Sequence, residues 1–117
     1  MIEKIILDHL RTSTGLPVCM EFPPGGTEPP FLLLERTGGS KEEHISQAAV
    51  AVQSYGSSLL QAAQTNEAAK AAMEDLATLP EIAAVTLNAD YNYTDTAKKR
   101  YRYQAVFQIY YYQEGES

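Results

Sequence analysis

The stretch from Val85 to Tyr111 constrains the fold of this chain more than any other. Val85, Leu87, Ala89, Tyr91 and Tyr93 alternate with Thr86, Asn88, Asp90 and Asn92. Further on, Tyr101, Tyr103, Ala105, Phe107, Ile109 and Tyr111 alternate with Arg102, Gln104 and Gln108. A period of two puts successive side chains on opposite faces of a strand, and the intervening "TDTAKK" supplies turn residues. The spacing therefore predicts an antiparallel hairpin with one covered face.

Residues 91–112 hold seven tyrosines and four basic residues, which allows two readings. Five of the tyrosines (91, 93, 101, 103 and 111) share the apolar parity with Leu87, Phe107 and Ile109. They are expected beneath a helix or a neighbouring subunit, with their hydroxyls at the rim. A stacking platform for bases needs exposed rings beside clustered cations instead. Lys98, Lys99 and Arg100 fall in the turn, where a solvated charge cluster is expected. Tyr110 and Tyr112 have the opposite parity, and an exposed aromatic pair there points to contact with another chain.

"SSLLQAAQTNEAAKAAMEDLATLP", residues 57–80, reads as a long helix. Ser58 and Gln61 have capping-box spacing, each side chain satisfying a free amide of the other residue. Leu59, Ala62, Ala69, Met73 and Leu76 fall on one face, and Pro80 ends the helix. An alanine-rich face allows close approach to a sheet.

At the other end, Ile2, Ile5, Ile6 and His9 or Leu10 recur at helical spacing, predicting a short amphipathic helix. "TSTG" closes it, with Gly15 suited to a left-handed exit. "LPVCMEF" reads as a short edge strand, because Pro17 cannot donate to a ladder. "PPGGTEPP", residues 23–30, is a loop, "FLLLER" a buried strand and "TGGSKEE" a turn in which Gly38 and Gly39 serve the reversal. Residues 44–54 alternate Ala48, Val50 and Val52 with small or polar neighbours, predicting a strand despite the alanines. The expected architecture is α+β: a sheet packed on one long helix and a short N-terminal helix, in the order α-β-β-β-α-β-β.

At 117 residues, 44% hydrophobic and 21% charged, the chain is expected to form a single globular domain, 1–117. A formal charge of −6 argues against a dedicated nucleic-acid binder, which needs a positive field to neutralise phosphate. Cys19 is the one cysteine, consistent with a reducing compartment, and an inert buried thiol is expected there. The acids in "MIEKIILDHL" are unlike a secretory leader, and no apolar run is long enough for a membrane span.

Chemistry finds little foothold. His9, His44 and Cys19 have no metal-ligand spacing, so no metal and no cofactor are expected. His9 is expected half-buried on its helix and His44 solvated. The glycine pairs match no phosphate-binding loop, and no carboxylate spacing singles out an acid–base pair, so no catalytic residues are expected and the chain is not expected to be an enzyme.

The order of elements, together with "FLLLERTGGS", "HISQAAVAVQSYGSS" and "LNADYNYTDTAKKRYRYQAVFQIYYY", resembles the bacteriophage tail terminator or tail completion family, over residues 2–112. "PPGGTEPP" departs from the pattern as a proline-rich insertion. Minor capsid and head–tail joining proteins resemble it too.

The resemblance implies a structural virion protein, assembled in a bacterial host cytoplasm and located in the tail or neck. It implies a homo-oligomeric ring, typically hexameric, that caps the tail tube and meets the head connector. DNA passes through such a ring without specific binding, which suits an acidic chain. Arg36, Lys41, Lys98, Lys99, Arg100, Tyr110 and Tyr112 are the interaction candidates. A small nucleic-acid-binding module built on the basic turn is the competing class.

Overall fold

The computed structural model describes residues 1–23 and 25–112. In chain order the elements are helix α1 (Ile2–Thr14), strands β1 (Val18–Cys19), β2 (Phe31–Glu42) and β3 (Ile45–Gly56), helix α2 (Leu59–Asp75), and strands β4 (Ile82–Asn92) and β5 (Tyr101–Tyr112). A 3₁₀ turn, Leu76–Thr78, links α2 to β4. The sheet order is β1-β2-β3-β5-β4, antiparallel except for the parallel β1–β2 pair. This is the expected α+β architecture in the expected order.

Both helices lie on one face of the sheet. Ile2, Ile6 and Leu10 of α1 and Ala69, Ala72 and Met73 of α2 pack on Leu34, Val50, Val52, Phe107 and Ile109. Each large apolar side chain buried there stabilises the fold by about 1.5–3 kcal/mol. The helix starts and stops follow local chemistry. Gly15 takes the left-handed conformation (φ 70°) and donates to the Arg11 carbonyl at 2.9 Å, closing α1 after Thr14. Ser58 Oγ accepts from the Gln61 amide at 3.1 Å. Gln61 Oε1 reaches back to the Ser57 amide at 2.6 Å, one residue earlier than a standard capping box.

Four expectations from the sequence are corrected. "LPVCMEF" contributes only Val18–Cys19 to the sheet, after which Phe22 folds over Phe31 and Tyr55. "TGGSKEE" is largely strand: β2 runs to Glu42, and only Glu43 and His44 make the reversal, with Glu43 at φ 40°. Gly38 and Gly39 follow a bulge at Thr37, where the ladder skips one residue. A Cβ on Gly39 would approach the Gln47 carbonyl oxygen to 2.9 Å, so glycine here serves close strand contact. Leu59 is not on the covered face of α2; that face is Ala62, Thr65, Asn66, Ala69, Ala72 and Met73.

The fourth correction concerns the hairpin. A bulge at Asn88 separates the register pairs Leu87↔Phe107 and Ala89↔Val106. One extra residue reverses the facing of everything beyond it. Val85 and Leu87 therefore keep the helix side, whereas Tyr91 and Tyr93 turn to the open face and are 40% and 42% exposed. Asp90 moves the other way, to the helix side.

Candidate functional site, an aromatic and cationic end of the open face

The β4–β5 turn brings the site together. Asp95 and Arg100 exchange backbone hydrogen bonds of 3.0 Å, Asp95 Oδ1 accepts from the Lys98 amide at 3.2 Å, and Lys99 adopts φ 54°. This tight closure projects Lys98, Lys99 and Arg100 from one end of the sheet. Arg100 sits over the Phe22 ring, 4.4 Å from its centre. Phe22 in turn meets Phe31 and Tyr55 edge-on at 6.1 and 5.8 Å, and Phe31 stacks on Tyr55 at 4.6 Å.

Arg102 extends the cluster across the open face. Its Nε donates to the Tyr93 carbonyl at 2.6 Å and its Nη1 to the Tyr55 hydroxyl at 3.0 Å. Its guanidinium also lies 4.5 Å from the Tyr93 ring centre. Tyr55, thus held, donates to Gln53 Oε1 at 2.8 Å and is almost fully buried, although no helix covers this face. Tyr91 and Tyr93 meet edge-on at 5.8 Å.

Two clefts flank Phe22. One, of about 550 Å³, has Phe31, Tyr55, Gly25, Gly26, Lys99 and Arg100 among its walls. No Asp or Glu lines it among the described residues. The other, of about 430 Å³, sets Lys98, Arg100 and Arg102 against Glu21, Glu35 and Asp95. Among the described residues no ion pair neutralises Lys98, Lys99, Arg100 or Arg102. These four are nearly half of the chain's 9 Lys and Arg, concentrated at one end of a protein of net charge −6.

The remaining candidates lie elsewhere. Arg36 faces the helices, where it pairs with Glu3 at 3.5 Å and donates to the Gly38 carbonyl at 3.2 Å. Lys41 is exposed near the β2–β3 reversal. Tyr110 and Tyr112 pair with Gln47 and Ile45 at that same far end of the sheet, on the open face. Six of the seven candidates thus divide between the two ends of a molecule 47 Å long, while Arg36 lies midway along β2, opposite Val50. Phe22, Phe31, Tyr55 and Arg102 belong to the site but were missed. The parity of Arg102, opposite to that of its tyrosine neighbours, was the signal available in the sequence.

The other chemical groups are quiet. His9 Nε2 lies 3.0 Å from the Ala72 carbonyl oxygen and 3.5 Å from Asp75, half-buried as expected. Burial pushes the Cys19 thiol up, opposed by the nearby positive charge of Arg11, and its sulfur approaches the Leu32 carbonyl at 3.5 Å. Among the described residues no three His, Cys, Asp or Glu side chains are grouped to hold a metal ion, and no helix is long and apolar enough to cross a membrane.

Fold and site define a class: a five-stranded α+β sandwich, helices on one face, with a basic aromatic cluster at one end of the other. No family model matches the sequence, and no curated protein does. Solved structures do match. A chain of the virion of a native gene transfer agent particle superimposes with a TM-score of 0.58 at 15% identity, over 89% of this chain and 84% of that one. At that identity the likeness is one of fold.

Proposed function

We propose that this protein is a structural virion subunit that forms a ring capping the tail tube and joining it to the head connector. The observation that carries the reading is the shared fold, over nearly the full length of both chains, with a component of a gene transfer agent virion. The form of the molecule supports it. Among the described residues, no strand flanks the outer side of β2 beyond Leu33, and β4 ends the sheet at the other edge. Two different exposed edges suit heterologous, head-to-tail contact, the kind that closes into rings. In this role the protein is not an enzyme, needs no cofactor, and works in the tail or neck of the particle. A minor capsid or head–tail joining role in the same kind of particle uses the same surfaces.

The test is assembly. Sedimentation of the purified chain, alone and with the tail-tube protein of its particle, is expected to yield closed rings, in micrographs also found at tube ends. Failure to assemble under both conditions overturns the proposal.

A second reading, a small nucleic-acid-binding module, draws on one observation: Tyr91 and Tyr93 are exposed beside Arg102. It predicts binding of single-stranded DNA that weakens steeply with salt, because bound phosphates release counterions.

A further inference from the structure

We infer that the acid-free cleft beside Phe22 is a docking site for the acidic segment 113–117 of a second copy of this chain. The inference rests on the assembly reading and specifies one contact within it.

The cleft selects for an anion. Lys99 and Arg100 line it, with no carboxylate among the described residues, in a chain that carries 15 acids against 9 bases. Gly25 and Gly26, at φ 75° and 79°, form one wall and present backbone without side chains. Phe31 and Tyr55 supply apolar walls, and about 550 Å³ is within the range that takes small ligands or a few peptide residues.

The chain itself contains a matching segment. "QEGES" follows β5 directly and carries Glu114 and Glu116 with no basic residue. It leaves from the wrong end for its own cleft. Tyr101 lines the cleft, and from there β5 runs 12 residues to Tyr112. At ~3.4 Å per residue that is about 37 Å. Residues 113–117 span at most ~18 Å even fully extended. The segment therefore reaches the cleft of a neighbour and not its own, which makes the contact heterologous.

A nucleic-acid strand fits less well. Its phosphates need a continuing cationic track, yet in the groove on the other side of Phe22 the cations Lys98, Arg100 and Arg102 are offset by Glu21, Glu35 and Asp95. A short acidic peptide confines its charge to the cleft.

The experiment titrates a fluorescent peptide of residues 110–117 with the full chain and follows anisotropy, alongside sedimentation of the chain itself. Binding is expected to weaken at least about tenfold when the peptide carries Glu114→Gln and Glu116→Gln, and equally when the chain carries Lys99→Glu and Arg100→Glu. Self-association is expected to fall in either charge variant. It is expected to recover when Lys99→Glu and Arg100→Glu are combined with Glu114→Lys and Glu116→Lys, a rescue that misfolding cannot produce. Assembly that is indifferent to all these changes overturns the inference and leaves the ring reading standing. A twelve-nucleotide single strand that occupies the cleft and is not displaced by the peptide also overturns it. Peptide binding without any assembly supports the contact while removing the ring.

Discussion

Asn66 donates its side-chain amide to Asp90 across 2.7 Å, fastening the middle of α2 to β4. Lys70, one turn further along α2, bonds the other carboxylate oxygen of Asp90 and pairs with Glu67 at 2.7 Å. Asn66 is 2% exposed and its Oδ1 has no protein partner, so Asp90 is what satisfies this buried amide. Asp90→Ala is expected to destabilise the protein by about 1–3 kcal/mol, the usual cost of orphaning a buried polar group. Asp90→Asn keeps an acceptor and is expected to cost clearly less. Urea denaturation of the two variants distinguishes these outcomes.

The same cluster gives a pH dependence. Burial pushes the Asp90 carboxyl up, but the hydrogen bonds from Lys70 and Asn66 outweigh it and hold the group below its ordinary 3.8. Its stabilisation is therefore complete above pH 3.8 and is lost as pH falls through the depressed folded value. Hydrogen bonds to Asp90 and then Glu67 raise Lys70 above its ordinary 10.5. That contribution is complete below pH 10.5 and is lost as pH rises through the raised value. Thermal melts across pH are expected to show the gap between the native chain and Asp90→Asn shrinking at the acid end. A gap that is constant from neutral pH down to pH 2 contradicts the assignment.

Gly56 ends β3 directly under the first turn of α2. A Cβ there would lie 2.3 Å from the Ala62 amide nitrogen and 2.8 Å from its Cα. These are backbone atoms and cannot swing away. Gly56→Ala is expected to cost at least about 2–3 kcal/mol by forcing α2 off the sheet. Gly38→Ala, whose added Cβ would meet only the Ala49 Cβ at 3.9 Å, serves as the mild comparison. Calorimetric melting temperatures of the pair check the prediction.

Arg102 fixes the open face through two hydrogen bonds and contacts with two rings, Tyr55 and Tyr93. Arg102→Ala is expected to cost about 1.5–3 kcal/mol, as for hydrogen bonds made by a charged group, and to loosen Tyr55 and Tyr93 together. Arg102→Lys keeps the charge but not the planar fork, and is expected to recover less than half of the loss. Denaturation with tyrosine fluorescence as the probe reports both effects.

Much of the architecture was legible in the sequence because it follows from local chemistry. The Ser58 cap, the Gly15 exit and the alternation from Tyr101 to Tyr111 each act within a few residues, whereas α2 ends at Asp75, before the expected Pro80 stop, and tightens into a 3₁₀ turn. The site was only half legible. Lys98, Lys99 and Arg100 were recognisable as a charged turn, but Phe22, Phe31 and Tyr55 reach them from more than 40 residues away in sequence.

What the sequence determined by itself is the number, order and type of the elements, since periodicity and capping are short-range. The tertiary structure alone decided which residues face which way after Thr37 and Asn88. A strand repeats every two residues, so one residue bulged out to satisfy a neighbouring strand's ladder exchanges the two faces, and nothing in the local pattern marks where that happens. Tyr91 and Tyr93 stand on the open face beside Arg102, and Asp90 lies against α2, for that reason.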